Sequence, residues 1–133
     1  MDVIHERGCV YSIQYHIVWC VKYRRKIINN EIENRLKGIL TEISNYEEFQ
    51  IVEYNTDKDH IHLLINCSPH HYIPNIIQKL KGISSRCLMN EFKDELKKVL
   101  WGGNIWNPSY FVATVSENTE QQIKQYIKNQ KRR

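Results

Sequence analysis

Two hydrophobic periodicities alternate along this chain, and their order limits the folds that it can adopt. Four segments are rich in β-branched and aromatic residues, which predicts strands. They are residues 9–21, 49–55, 60–67 and 110–115. In three other segments apolar residues recur at helical spacing, which predicts helices. They are residues 30 to about 46, 74 to 88, and 119 to about 131.

The resulting order of elements is β-α-β-β-α-β-α. Its first six elements match the split β-α-β arrangement of ferredoxin-like domains. We therefore predict an α+β fold in which an antiparallel four-stranded sheet carries two helices on one face. The seventh element is an additional C-terminal helix, and Ser116 or Asn118 can cap it. With 133 residues and no linker or repeat, the chain is expected to form one domain, residues 1–133.

Charge and hydropathy narrow the class of protein. No apolar run approaches the roughly 20 residues that a membrane span needs, and the first residues lack the apolar core of a signal peptide. A cytoplasmic protein without membrane contact is therefore expected.

The net charge is only +4, but basic residues cluster at positions 22–26 and in the last ten residues, with no acid inside either cluster. Such clusters suit phosphate binding, although a solvated surface and a frayed tail explain them equally well.

The four cysteines do not form a recognisable metal or disulfide pattern. Cys9, Cys20, Cys67 and Cys87 are scattered and contain no C-x-x-C spacing. Cys20 and Cys67 lie in apolar strand-like runs, where a cysteine usually behaves as a small hydrophobic residue.

The segment from Asp59 to Ile65 carries the strongest chemical pattern. Because side chains alternate across a strand, His60 and His62 are expected on one face and the intervening aliphatic residues on the other. The aliphatic face should pack against the helices, which leaves the histidines on the open face of the sheet. Two neutral imidazoles there form either a metal site or a pair of hydrogen-bonded surface histidines. Asp59 is either a turn residue or orients a ligating histidine, and the turn is the favoured interpretation.

The last helix carries a second pattern. Tyr126 and Gln130 are four residues apart, so they lie one turn apart on the same face. The surroundings of Tyr126 in sequence are polar, which is unusual for a structural tyrosine. Helical spacing alone still favours the alternative that Tyr126 is an amphipathic anchor beside Ile123 and Ile127.

In combination, several motifs resemble the small single-tyrosine transposases of the insertion-sequence-200/605 class, members of the HUH (His, hydrophobe, His) group. The resemblance covers nearly the whole chain, in the same order. The matching segments are QYHIVWCVKYR at 14–24, DHIHL at 59–63, KLKG at 79–82, LWG at 100–102, Trp106, YFV at 110–112, and Tyr126 with Gln130.

The resemblance implies a site and a reaction. His60, His62 and Gln130 would hold one divalent cation, Mg²⁺ or Mn²⁺, and Tyr126 would attack a phosphodiester of single-stranded DNA. The product is a 5′-phosphotyrosine, whose reversal rejoins strands without a nucleotide cofactor. The resemblance also implies recognition of DNA hairpins and a homodimer whose subunits share active sites.

Seven basic residues are candidate DNA contacts. They are Lys22, Arg24, Arg25, Lys26, Lys79, Lys81 and Arg86. His16 is a candidate base contact, whereas packing is favoured for Trp19. Two other functions fit part of the pattern. One is a non-catalytic nucleic-acid-binding module, and the other is a metal-dependent nuclease that uses water in place of Tyr126.

Overall fold

The computed structural model describes residues 4–6, 9–11, 13–100, 102–115 and 119–130. Trp101, both candidate caps of the last helix and the basic residues 131–133 lie outside the described residues. The described strands are β1 (Ile4–Glu6), β2 (Cys9–Tyr11), β3 (Ile13–Cys20), β4 (Gln50–Asp57), β5 (His60–Cys67) and β6 (Phe111–Thr114). The described helices are α1 (Asn30–Glu47), α2 (Ile73–Glu91), α3 (Lys93–Leu96) and α4 (Thr119–Asn129), with a single 3₁₀ turn at Lys22–Arg24.

The larger sheet has the strand order β4-β5-β3-β6, and each neighbouring pair is antiparallel. In this order β4 and β6 form the edges, and β5 separates β3 from β4, the strand that follows β3 in the chain. That is the split β-α-β topology, so the predicted fold class is confirmed. Within the described residues, no helix combines the length and the apolar character needed to cross a membrane.

The N-terminal region differs from the prediction. Residues 9–21 were expected to form one long strand, but β2 and β3 are separate strands with different partners. β2 pairs with β1 in a two-stranded sheet of its own, whereas β3 pairs with β5 and β6. Both β2 and β3 are rich in strand-forming residues, so composition alone does not show where one strand ends or which strand each one pairs with. The sequence analysis also missed β1 and α3.

The two faces of the larger sheet have different environments, as the alternation in β5 predicted. Ile61, Leu63 and Ile65 are fully buried in the main hydrophobic core, together with Trp19 from β3. Residues from α1 and α2 belong to the same core cluster, so this face lies beneath the helices. The prediction that Trp19 packs in the core is confirmed. The opposite face carries the histidines.

Local sequence signals explain where the two long helices begin. The side-chain oxygen of Asn29 accepts a hydrogen bond from the backbone N–H of Ile32 at 2.9 Å, which caps α1. Pro74 lies in the first turn of α2, where its missing N–H costs no helical hydrogen bond. β4 and β5 are joined by the two-residue turn Lys58–Asp59, which places His60 immediately after the turn.

Candidate active site

The first histidine of the pair is oriented by its neighbour. The Nδ1 of His60 lies 2.8 Å from the Oδ1 of Asp59, a hydrogen bond that directs the Nε2 of His60 toward another partner. A carboxylate that fixes the second nitrogen of an imidazole is a common support for a metal-ligating histidine. Asp59 lies in the turn, as favoured from the sequence, and its carboxylate also contacts the ring of His60.

The second histidine contacts another imidazole. The Nδ1 of His16 lies 2.8 Å from the Nε2 of His62, and the ring centroids are 5.0 Å apart. Burial lowers the pKa of both imidazoles. Repulsion from a charged His16 would lower the pKa of His62 further. Glu53 and Glu120 oppose this shift without reversing it. Both rings are consequently neutral near pH 7, which is the form that binds metals.

Helix α4 lies on the histidine face of the sheet. In the strand register Phe111 is opposite Val18, and Val18 is also opposite His62, so these three side chains share a face. The ring of Tyr126 lies 5.8 Å from the ring of Phe111, between centroids. Ile123 is buried and anchors the helix. The tyrosine and the histidine pair are thus on the same side of the sheet within one chain.

Tyr126 and Gln130 meet on a third side chain. The hydroxyl of Ser109 lies 3.0 Å from the hydroxyl of Tyr126 and 3.3 Å from the Oε1 of Gln130. Gln130 follows the last residue of α4, but its backbone N–H still donates to the carbonyl oxygen of Tyr126 at 3.1 Å, so the two side chains lie on one side of the helix end. Burial raises the pKa of the Tyr126 phenol, and the hydrogen bond with Ser109 offsets only part of the shift. The phenol is therefore neutral near pH 7 and needs activation before it can act as a nucleophile.

The ammonium of Lys81 stabilises the loop that carries Ser109. The Nζ of Lys81 donates to the carbonyl oxygens of Asn107, Pro108 and Ser109 at 2.7, 3.2 and 3.0 Å. The side-chain oxygen of Asn107 accepts from the N–H of Ser109 at 3.0 Å. It also lies 3.0 Å from the Ser109 hydroxyl, where it competes with the Oε1 of Gln130 for the single hydroxyl proton. Burial lowers the pKa of Lys81 to about 8. Sequence reasoning missed Ser109 and Asn107, because neither lies in a periodic segment.

Arg24 connects the histidine turn with α4. Its Nη2 and Nε donate to the Oδ2 of Asp59 at 2.8 and 3.1 Å, and its Nη1 donates to the carbonyl oxygen of Ile127 at 2.9 Å. Burial opposes ionisation of Asp59, but hydrogen bonds from His60 and Arg24 outweigh it and hold its pKa below the usual range. Asp59 is therefore an ionised carboxylate with a charged partner.

The candidate DNA contacts fall into two groups. Three have protein partners: Arg24 as described, Lys81 at the loop carbonyls, and Lys79, whose ammonium contacts the carboxylate of Glu47. The other four are at least partly exposed, namely Lys22, Arg25, Lys26 and Arg86. Arg86 lines a groove of about 500 Å³ beside α2, together with Lys81, Ser85 and Asn104.

The donor groups around His60 fit a divalent cation. Among the described residues, Asp57, Asp59 and His60 place one ligand atom each within 4.8 Å of the others. Imidazole nitrogens and carboxylate oxygens are donors that Mn²⁺ accepts, and Mg²⁺ prefers the oxygen atoms among them. The Nε2 of His62 contacts His16, so a metal would bind the other ring nitrogen of His62 or displace His16. The Oε1 of Gln130 contacts Ser109 and has a second lone pair for a metal.

The fold and these side chains define a class: a ferredoxin-like domain with a histidine pair and a helix-borne tyrosine on its open face. Comparison with known proteins identifies the family. The family model described as "Transposase IS200 like" matches residues 9–130. The chain belongs to the IS200-like transposase family.

Individual relatives agree with this assignment. The ISDra2 transposase TnpA of Deinococcus radiodurans is 44% identical over 124 residues, which are 93% of this chain and 88% of the relative. The transposase for insertion sequence element IS200 of Salmonella typhimurium is 34% identical over 120 residues, 90% of this chain and 78% of the relative. As a member of this family the protein is a transposase, an enzyme of DNA cleavage and transfer, and family membership implies a divalent metal ion.

Solved structures show the same architecture. A crystal structure of a transposase from Deinococcus radiodurans superposes with a TM-score of 0.90 at 42% identity, covering 98% of this chain and 99% of the other. A REP-associated tyrosine transposase bound to a REP hairpin superposes with a TM-score of 0.60 at 11% identity, covering 93% and 68%. The second similarity shows the shared fold only.

Proposed function

We propose that the protein cleaves and rejoins single-stranded DNA at the ends of an insertion sequence, with Tyr126 as the nucleophile. One observation carries the proposal. Tyr126 and Gln130 converge on Ser109 on the sheet face that carries His60 and His62. This grouping supports the proposal, because phosphodiester cleavage by a tyrosine uses a hydroxyl nucleophile close to metal-binding side chains.

In this proposal His60, His62 and Gln130 hold one divalent cation, either Mg²⁺ or Mn²⁺. When bound, such a cation polarises a phosphodiester and stabilises the charge that develops on its oxygens. Asp59 fixes the ring of His60, and the lowered pKa of His62 keeps its ring neutral and able to ligate. Ser109 contacts both the hydroxyl of Tyr126 and the Oε1 of Gln130, and in this proposal these contacts orient the two side chains before DNA binds.

The chemical step exchanges one phosphate ester for another. The Tyr126 oxygen attacks phosphorus, the bond from phosphorus to the 3′ oxygen breaks, and the phenol proton leaves as the 3′ oxygen gains a proton. The 5′ side of the break is then esterified to Tyr126. Since the ester bond is conserved, attack by an incoming 3′ hydroxyl rejoins the strands without a nucleotide cofactor.

The proposed substrate is single-stranded DNA with hairpins near the element ends. The resemblance of the motifs to HUH transposases implies this DNA form, and the REP-associated tyrosine transposase, which has the same fold, is bound to a REP hairpin in its structure. The exposed residues Arg25, Lys26 and Arg86 and the partly exposed Lys22 are proposed as phosphate contacts. Arg24, Lys79 and Lys81 would contact DNA through donors that their protein partners leave free, or after exchanging those partners.

We also propose that the protein acts as a homodimer with active sites shared between subunits. Within one chain α4 already lies on the histidine face, so sharing requires α4 to exchange between subunits. A complementation assay tests this directly. Mixed Tyr126→Phe and His62→Ala proteins should recover part of the cleavage activity if sites are shared. No recovery, with subunit exchange demonstrated, would contradict sharing.

The test of the proposed function uses labelled single-stranded DNA from one element end with its subterminal hairpin. Wild-type protein and Tyr126→Phe are incubated with Mn²⁺, Mg²⁺ or EDTA and resolved on denaturing gels, with Tyr46→Phe as the matched control on the exposed surface of α1. The expected result is a metal-dependent covalent adduct that only Tyr126→Phe loses. Cleavage that persists in Tyr126→Phe without an adduct would indicate a water-using nuclease. Hairpin binding without cleavage under any metal would indicate a non-catalytic module.

A further inference from the structure

Arg24 has an unusual backbone conformation for an arginine. Its φ is 53° and that of Tyr23 is 57°, so two consecutive non-glycine residues lie in the left-handed region. This conformation is unfavourable for residues with a Cβ, and it persists only where surrounding contacts maintain it. The contacts that Arg24 gains in return are those of its guanidinium.

The guanidinium joins two parts of the site that are far apart in sequence. One edge, formed by Nε and Nη2, binds the Oδ2 of Asp59, whose Oδ1 binds His60. The remaining Nη1 binds the carbonyl oxygen of Ile127, the residue that follows Tyr126. A continuous chain of hydrogen bonds therefore runs from the histidine imidazole to the backbone of the tyrosine helix.

The side chains in this chain of contacts are shielded from water. Only 26% of the Arg24 side chain and 11% of the Asp59 side chain are exposed. Hydrogen bonds to charged groups are stronger than neutral ones, and partial burial reduces the screening that weakens exposed ion pairs. The planar guanidinium provides three donors in fixed directions, and the single ammonium of a lysine cannot reproduce that geometry.

We propose that Arg24 is a positioning residue that couples the docking of the tyrosine helix to the orientation of His60. The inference rests on the proposed function, since it takes Tyr126 as nucleophile and His60 as metal ligand. Arg24 contacts neither the phosphate nor the metal in this role. It acts through Asp59 on His60 and through Ile127 on α4.

The experiment compares Arg24→Gln and Arg24→Lys with Arg25→Gln. Arg25→Gln removes the same charge from the adjacent, exposed residue and is the matched control. The first measurement is amide hydrogen exchange of α4 in metal-free protein, with α1 as internal reference. The second is Mn²⁺ affinity in the absence of DNA. Neither measurement depends on cleavage activity.

For Arg24→Gln we expect α4 amides to exchange about tenfold faster while α1 is unchanged, and Mn²⁺ affinity to fall about tenfold. Arg24→Lys, which keeps the charge, should fall between wild type and Arg24→Gln in both measurements and serves as the test if Arg24→Gln does not fold. Arg25→Gln should match wild type in both.

The coupling is overturned if either readout for the Arg24 variants equals that of wild type. Equal loss of adduct in Arg24→Gln and Arg25→Gln, with both readouts unchanged, would show that Arg24 acts on DNA through its charge. Failure of the proposed function gives a different result. If wild type binds Mn²⁺ but forms no adduct, the cleavage proposal is contradicted while the Arg24 measurements stand.

Discussion

The hydroxyl of Ser109 lies 3.0 Å from the hydroxyl of Tyr126, although the two residues belong to different elements. Ser109 lies in the loop before β6, and Tyr126 lies in the middle of α4. The same serine hydroxyl contacts Gln130 at 3.3 Å. A single hydroxyl thus sets the relative positions of the proposed nucleophile and one proposed metal ligand.

Replacement of Ser109 by alanine should slow adduct formation without unfolding the protein. We expect Ser109→Ala to reduce the rate about fivefold, a smaller loss than in Tyr126→Phe, since one neutral hydrogen bond contributes about 1 kcal/mol. Single-turnover adduct formation measures the rate. Thr41→Ala, which removes an exposed hydroxyl from α1, is the control. A Ser109→Ala rate equal to that of wild type would show that Ser109 does not position Tyr126.

The half-buried ammonium of Lys81 predicts a pH dependence of stability. Burial lowers its pKa from 10.5 to about 8 in the folded protein, so between these pH values the unfolded chain binds more protons. Stability contributed through Lys81 should therefore rise with pH across this window. Urea unfolding measures the free energy of unfolding at pH 8 and at pH 10. The increase between the two pH values should be smaller in Lys81→Met than in wild type. Lys98→Met, at an exposed site, is the control and should show the same increase as wild type. If Lys81→Met also shows the wild-type increase, the pH dependence does not come from Lys81.

A buried serine supports the loop that leads to the site. The indole N–H of Trp106 donates to the hydroxyl of Ser84 at 2.9 Å, and both side chains are buried. Ser84→Ala should leave this N–H unpaired and lower the free energy of unfolding by about 1–3 kcal/mol. Denaturant unfolding measures the loss. Thr41→Ala should lose less than about 0.5 kcal/mol, as is usual at exposed sites. An equal loss in the two variants would mean that the indole finds another partner.

Two buried thiols should resist alkylation. Burial raises the pKa of Cys20 to about 11 and that of Cys67 to about 12, so few thiolates form at pH 8. Native protein treated with iodoacetamide at pH 8 should carry label on the half-buried Cys87 well before Cys20 or Cys67. Peptide mapping quantifies each site, and urea-unfolded protein is the control. Labelling of Cys20 or Cys67 at the unfolded rate would contradict their burial.

Local patterns in the sequence were sufficient for part of the site. The alternation of His60, Ile61 and His62 fixed which face each side chain occupies, because strand periodicity is a property of adjacent residues. Helical spacing placed Tyr126 and Gln130 on the same face for the same reason. Asn29 likewise marked the start of α1, since capping involves residues three positions apart.

The contacts that organise the site were not predictable in this way. His16 and His62 are 46 residues apart, Arg24 and Asp59 are 35 apart, and Ser109 and Tyr126 are 17 apart. These pairs depend on strand register and on how α4 docks, which no local period encodes. The sequence suggested DNA contact for Arg24 and Lys81, because a basic residue type does not show whether its side chain binds a phosphate or an acceptor within the protein.

The central claim is that Tyr126 becomes covalently linked to DNA. The most direct measurement is mass spectrometry of the adduct after nuclease and trypsin digestion, which releases the peptide of residues 125–128. We predict that this peptide carries the residual nucleotide through a 5′-phosphate on Tyr126 and that EDTA abolishes the modified form. A nucleotide found on Tyr23, Tyr110 or any other residue, or cleaved DNA with unmodified Tyr126 throughout, would contradict the account.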